Sequence, residues 1–209
     1  MTEVGAGLFV KSHVARDLLQ SAALFRNEHL VVWEYVSNGL QYVDPGVSPE
    51  VRVRLDDKGK KIAIADNGRG MAWGDLQNFF VMHGENSDRK AGRPGRGRFG
   101  TGKSAAFGIA GRLEVTTVRS GKRSRVSLDR SDIDAMGNES PISVMMHEQE
   151  VPTTEANGTK IVISEVHLRR LDQKRVITFV EQQISHWPRD VVVWVNNHQC
   201  QYAEPPTVK

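Results

Sequence analysis

Residues Lys61–Met71 read Lys-Ile-Ala-Ile-Ala-Asp-Asn-Gly-Arg-Gly-Met. Ile62 and Ile64 alternate with alanines, the period of a half-buried strand that runs out at Asp66. Upstream, Val51, Val53 and Leu55 alternate with Arg52, Arg54 and Asp56, and turn residues fill Asp57–Gly59, so the two runs form a β-hairpin. Before the hairpin, Leu30, Val31, Trp33, Val36 and Leu40 make a broad apolar face on a helix from about Glu28 to Tyr42, stopped by Asp44-Pro45-Gly46. Ser12 caps an earlier helix carrying Val14, Leu18, Leu19, Ala22 and Phe25. Downstream come a short helix from Asp75 to about His83 and a helix over Lys103–Ala110. Strands follow over Leu113–Arg119, Arg125–Asp129, Ile142–His147 and Thr159–Ser164. A helix from about Leu171 to His186 and a hairpin turning at Asn196-Asn197 complete the reading. Helices first and hairpin-linked strands later predict an α+β two-layer sandwich, with a mixed, mostly antiparallel sheet and helices on one face.

The 209 residues are 39% hydrophobic and 25% charged, the composition of one globular domain, and we expect a single domain over 1–209. Cys200 is the lone cysteine, which excludes an internal disulfide and an all-thiolate metal site. No apolar run approaches the ~20 residues of a membrane span, and no secretory signal opens the chain. The expectation is an intracellular, cytoplasmic protein with no membrane partner. Net charge is +3, yet twelve Lys and Arg face only Glu114 and Asp129 between Arg89 and Arg130, a local +10 that leaves −7 elsewhere. That segregation fits an anionic partner such as DNA, and it fits a solvated basic face equally well.

Three constellations carry chemistry. Glu34 and Asn38 stand four apart on the second helix, about 6 Å along its axis and on one side. A carboxylate beside an amide can orient a water and hold a hard cation, although a solvent-facing pair is the ordinary alternative. Asp66 can accept from an exocyclic amino group, while Gly68 and Gly70 let a flat base such as adenine approach the backbone; a plain Asp-Asn-Gly turn is the alternative. Gly84–Gly102 holds six glycines, the composition of a lid or binding loop, and it opens into Lys103-Ser104 at a helix start, where amides and a lysine suit phosphate. Gly97–Ser104 also satisfies the P-loop pattern literally, but Glu85–Arg96 lacks the hydrophobic strand that a P-loop requires.

In this order and spacing, the chain resembles the GHKL ATPases: gyrase B subunits, ninety-kilodalton heat-shock chaperones, histidine kinases, MutL and the related MORC proteins. The resemblance runs from Glu34 to about Ser164 and implies the Bergerat ATP-binding fold. It implies that Glu34 activates water and Asn38 coordinates magnesium. It further implies that Asp66, Gly68, Gly70 and Met71 form the base pocket, that Gly97, Gly100 and Gly102 belong to an ATP lid over 84–102, and that Thr159, after Gly158, helps bind the base. Thr101, Lys103 and Ser104 stand where phosphate contacts are expected, Lys103 being unusual for a lid's end. Gln41 replaces an aspartate that several members carry three residues beyond the motif asparagine.

Ser37–Tyr42 is similar to the asparagine box of histidine kinases, but only His13 and His29 precede it, neither in a comparable motif, and both read as surface residues. The other histidines show no metal-ligand spacing. The four tryptophans read as packing residues. The expectation is therefore an ATPase using ATP and Mg2+, slow as a fragment lacking a downstream transducer domain. Lid closure would drive conformational change or homodimerisation on DNA or on a protein client. A chaperone-like module and a non-hydrolysing ATP sensor are the alternatives, and a MORC-like chain would be nuclear.

Overall fold

The computed structural model describes residues 8–10, 22–79, 101–135, 142–187 and 191–202. In chain order these give β1 (Leu8–Val10), α1 (Glu28–Gln41), β2 (Glu50–Asp56), β3 (Lys61–Asp66) and α2 (Trp73–Phe79), then a 3-10 helix (Thr101–Gly108). Next come β4 (Ala110–Arg119), β5 (Lys122–Asp129), α3 (Arg130–Ala135) and β6 (Ile142–Pro152), followed by β7 (Gly158–Val166), α4 (Gln173–Ile184), β8 (Val192–Val195) and β9 (His198–Gln199). Among the described residues the strands form one sheet in the order β1-β6-β5-β4-β7-β3-β2-β8-β9. All neighbours are antiparallel except β2 and β8. This is the expected α+β architecture with a mixed, mostly antiparallel sheet.

Register explains where the core ends and the site begins. Leu55, Ile62, Ile163, Leu113 and Leu128 are successive partners across β2, β3, β7, β4 and β5, and Val53, Ile64, Ile161, Val115 and Val126 form the next rung on that face. All but the half-buried Leu55 are buried; α1 lies on β2 and β3, the 3-10 helix on β4, and α4 packs on α1 and β8. One rung further the same face carries Val51, Asp66, Thr159, Thr117 and Ser124. Because side chains alternate with period two, the face that builds the core turns polar at this end of the sheet.

Helix α1 follows its apolar pattern: Val31, Val32, Tyr35, Val36 and Leu40 are buried. Helix α4 starts two residues later than the periodicity suggests because Asp172 caps it, its side chain accepting from the Arg175 amide at 3.2 Å. The helix expected over Lys103–Ala110 is a 3-10 helix ending at Gly108, and β4 already begins at Ala110. Ala105, Ala106, Phe107 and Ile109 are all fully buried, so these residues lack the alternating solvent face of an amphipathic α-helix. A Cβ on Gly108 would sit 2.4 Å from the Ala22 carbonyl oxygen, which shows how tightly the backbones approach there. The Ser12-capped helix, His13 and the glycine-rich stretch through Gly100 lie outside the described residues.

Candidate functional site

The polar rung is built around Asp66. Its Oδ1 accepts from the Gly68 amide at 2.9 Å and the Thr159 amide at 3.0 Å, while Oδ2 has no hydrogen-bond partner among the described residues. Burial pushes this carboxyl above the ordinary aspartate value, and the two amides pull it partly back. The Asp66–Met71 turn needs its glycines: a Cβ on Gly68 would lie 2.6 Å from the Tyr42 carbonyl oxygen. Gly70 has φ +67°, and its Cβ would lie 1.9 Å from the Val118 carbonyl oxygen. Asn67 staples the turn to the entry of β2, accepting from the Glu50 amide at 2.8 Å and donating to the Ser48 carbonyl at 3.0 Å. The Arg69 amide donates to the Tyr42 carbonyl at 2.9 Å, so the turn is tied to the end of α1 as well.

Helix α1 carries Glu34 and Asn38, and its C-terminal turn rests on the same end of the sheet. A Cβ on Gly39 would lie 2.9 Å from both Asp66 Cβ and Val51 Cγ2, so the absent side chain lets the helix rest on the rung at the position next to Asn38. Tyr35, fully enclosed, accepts from the Ala106 amide at 3.3 Å and anchors the 3-10 helix to α1; burial pushes its hydroxyl upward in pKa. Burial also raises the Glu34 carboxyl above the ordinary glutamate value. A cavity of about 320 Å³ opens along this side of α1, lined by Glu34, Asn38, Ser37, Gln183, His186 and Trp187. Trp33 meets Trp187 edge-on at 5.8 Å and holds the base of α4 to α1. The described residues thus gather Glu34 and Asn38 in one cavity, while Asp66 with its free carboxylate oxygen stands on the rung against which Gly39 rests and does not line that cavity. A depression of about 230 Å³ lies beyond Met71 and Trp73.

Gly97 and Gly100 lie outside the described residues, as does the expected lid up to that point. Thr101, Gly102 and Lys103 open the 3-10 helix, and Ser104 within it is fully buried, away from solvent. No group of three or more His, Cys, Asp or Glu side chains gathers at a metal-binding spacing among the described residues, so a metal here would take Asn38 and ligand oxygens. Cys200 is buried and its thiol is pushed up to about 12.

Two expectations change. His29, read as a surface residue, is 7% exposed and packs edge-on against Phe179 at 4.8 Å, because α4 covers that side of α1. The basic block is also less basic than its sequence: Arg112, Arg119, Lys122, Arg123, Arg125 and Arg130 are each ion-paired, with Asp129, Asp75, Glu150, Glu148 and Glu155, Glu148, and Asp134 respectively. Sequence reasoning passed over Gly39, Tyr35 and Thr117. A glycine inside a strongly apolar helix was a legible signal of close approach. So was Thr117, a hydroxyl on the strand face otherwise filled by Leu113 and Val115.

Residues 27–161 match the family model for the histidine kinase-, DNA gyrase B- and HSP90-like ATPases, a span that holds α1, the Asp66 turn and Thr159. The chain is 25% identical over 193 residues to the chaperone protein HtpG of Sulfurimonas denitrificans, covering 79% of this chain and 29% of that protein. It thus spans less than a third of that relative's length. No described helix is long and apolar enough to cross a membrane. With the matched segment exceeding half of its length, the chain belongs to the histidine kinase-, DNA gyrase B- and HSP90-like ATPase family.

Proposed function

We propose that this chain binds Mg-ATP and hydrolyses it slowly, using the change of state to drive a conformational change or self-association of a chaperone-like protein. The observation that carries the reading is Asp66. One of its oxygens is saturated by backbone amides and the other is free, at the tip of a helix that presents Asn38 and Glu34. The free Oδ2 accepts from the adenine amino group, Thr159 and Met71 flank the base, and the glycines at 68 and 70 leave room for its ring. The phosphates run toward α1, with Gly97, Gly100, Thr101, Gly102 and Lys103 as their contacts; buried Ser104 is left out of this set. Asn38 would hold magnesium, whose charge neutralises phosphate oxygens when it is bound.

Glu34 accepts a proton from water as the water oxygen bonds to the terminal phosphorus and the bond to the bridging oxygen breaks. Its raised proton affinity suits a base that works near neutrality. Among the described residues the cavity beside it is lined by no Lys or Arg, so magnesium and Lys103 are the cations left to meet the charge developing on the phosphoryl oxygens, which fits slow turnover. Similarity to a chaperone and the internally paired basic block favour a protein client over DNA. Calorimetry of Mg-ATP with the wild type and Asp66→Asn tests the reading: the variant, which offers no anionic acceptor, should lose affinity for ATP. Equal affinity would move the base elsewhere.

A further inference from the structure

We propose that Thr117 is a positioning residue that sets the width of the base slot and thereby its preference for adenine; this rests on the ATP-binding reading above. Thr117 lies on β4 in the same rung as Asp66 and Thr159, directly paired with Thr159 across the β4–β7 ladder. It is 1% exposed, so it acts through its neighbours and not by touching ligand. Its hydroxyl accepts from the Met71 amide at 2.7 Å and donates to the Gly158 carbonyl at 3.4 Å. Those two bonds join the two chain segments that flank Asp66. Met71 closes the Asp66 turn on one side, and Gly158 precedes Thr159 on the other.

The surrounding backbone has no slack to do this without the hydroxyl. Gly70 already meets the Val118 carbonyl with no space for a Cβ, and a Cβ on Gly158 would sit 2.4 Å from the Asp66 carbonyl oxygen. The turn, β4 and β7 therefore touch backbone to backbone, and the Thr117 hydroxyl is the polar pin between them. Removing it leaves the Met71 amide without its acceptor, which favours a shift of the turn away from β4. The distance from Met71 to Thr159 then changes, and with it the alignment of a base edge on Asp66 Oδ2. Adenine offers an amino donor to that oxygen, whereas guanine offers a carbonyl acceptor at the same place, so loss of alignment erodes the difference between them.

The test compares wild type, Thr117→Val and Thr117→Ser by calorimetry with Mg-ATP, Mg-GTP and magnesium tripolyphosphate. Thr117→Val should weaken ATP about tenfold, the scale of one buried hydrogen bond. It should also narrow the ATP-to-GTP ratio and leave tripolyphosphate unchanged, while Thr117→Ser restores wild-type values. Equal loss for all three ligands, or an unchanged ATP-to-GTP ratio in a folded Thr117→Val, overturns the proposal. Wild type that fails to bind ATP overturns both this and the reading on which it rests. Should Thr117→Val not fold, amide exchange in the wild type decides: the Met71 amide should be protected and slow further with ATP. Exchange as fast as an exposed turn would end the idea.

Discussion

Burial raises the Glu34 carboxyl, and no described side chain donates a hydrogen bond to it, so ionising it costs the folded state more than the unfolded one. With the folded value above the unfolded one, the associated stability is fully present below about pH 4 and is lost as pH rises through the raised value. Glu34→Gln should therefore melt higher than wild type at pH 7, with the gap closing toward pH 4. A melting difference that is the same at both pH values would remove the claim of a perturbed carboxyl. Activity runs the other way, since only the ionised form accepts a proton. Wild-type kcat should climb through an acid limb lying above about pH 4.3, the unperturbed glutamate value. Glu34→Gln should keep ATP binding, lose that limb and fall about a hundredfold in turnover. Undiminished kcat in the variant would remove Glu34 as the base. Asp66 shares the upward shift, but its amide partners offset part of it.

Between elements, the decisive contact is α1 on the Asp66 rung. Gly39→Ala gains about 1 kcal/mol of helix propensity. It also forces a methyl against Asp66 Cβ and Val51 Cγ2, and overpacking of that kind costs about 1–3 kcal/mol. The net expectation is a lower melting temperature together with weaker Mg-ATP binding, because the helix that carries Asn38 is pushed off the Asp66 rung. A stabilised variant with intact binding would show that the contact yields freely. Gly70→Ala is harsher: left-handed backbone and a carbonyl in the methyl's place should cost roughly 3 kcal/mol or more in a denaturant titration. These contacts also show what the sequence makes legible. Helix α1, the β2–β3 hairpin and α4 were readable because each carries its own period, and Asp66 was found because a strand visibly ends there. The parallel pairing of β8 with β2 joins residues some 140 positions apart, and no local pattern encodes it. The 3-10 helix differs from the expected α-helix because Ser104, Ala105, Ala106 and Phe107 in succession are all buried, which erases the amphipathic signal. Thr117 escaped notice because its role exists only once β4 lies against β7 and the Asp66 turn.

At the scale of the molecule, the basic stretch shows how folding redistributes charge that looks segregated along the chain. Six of the twelve cations between Arg89 and Arg130 meet acids, five of those acids outside the stretch, with Asp75 reaching Arg119 from α2, and Asp129 within it. These pairs are largely exposed, and such pairs are worth about 0–1 kcal/mol, so their strength alone does not keep phosphate away. What opposes DNA is that each carboxylate stays within reach of its partner and repels an incoming phosphate. Arg89, Lys90, Arg93, Arg96, Arg98 and Lys103 are the remaining cations of the stretch. If duplex DNA binds at all, six cations allow a slope of log affinity against log salt no steeper than about −5, against about −11 if all twelve took part. Substituting Arg119, Lys122 and Arg123 together with alanine should therefore leave that slope and the low-salt affinity unchanged. A slope well beyond −6, or a tenfold loss in the triple variant, would mean that the β4–β5 ion pairs open onto nucleic acid and that the client is DNA after all.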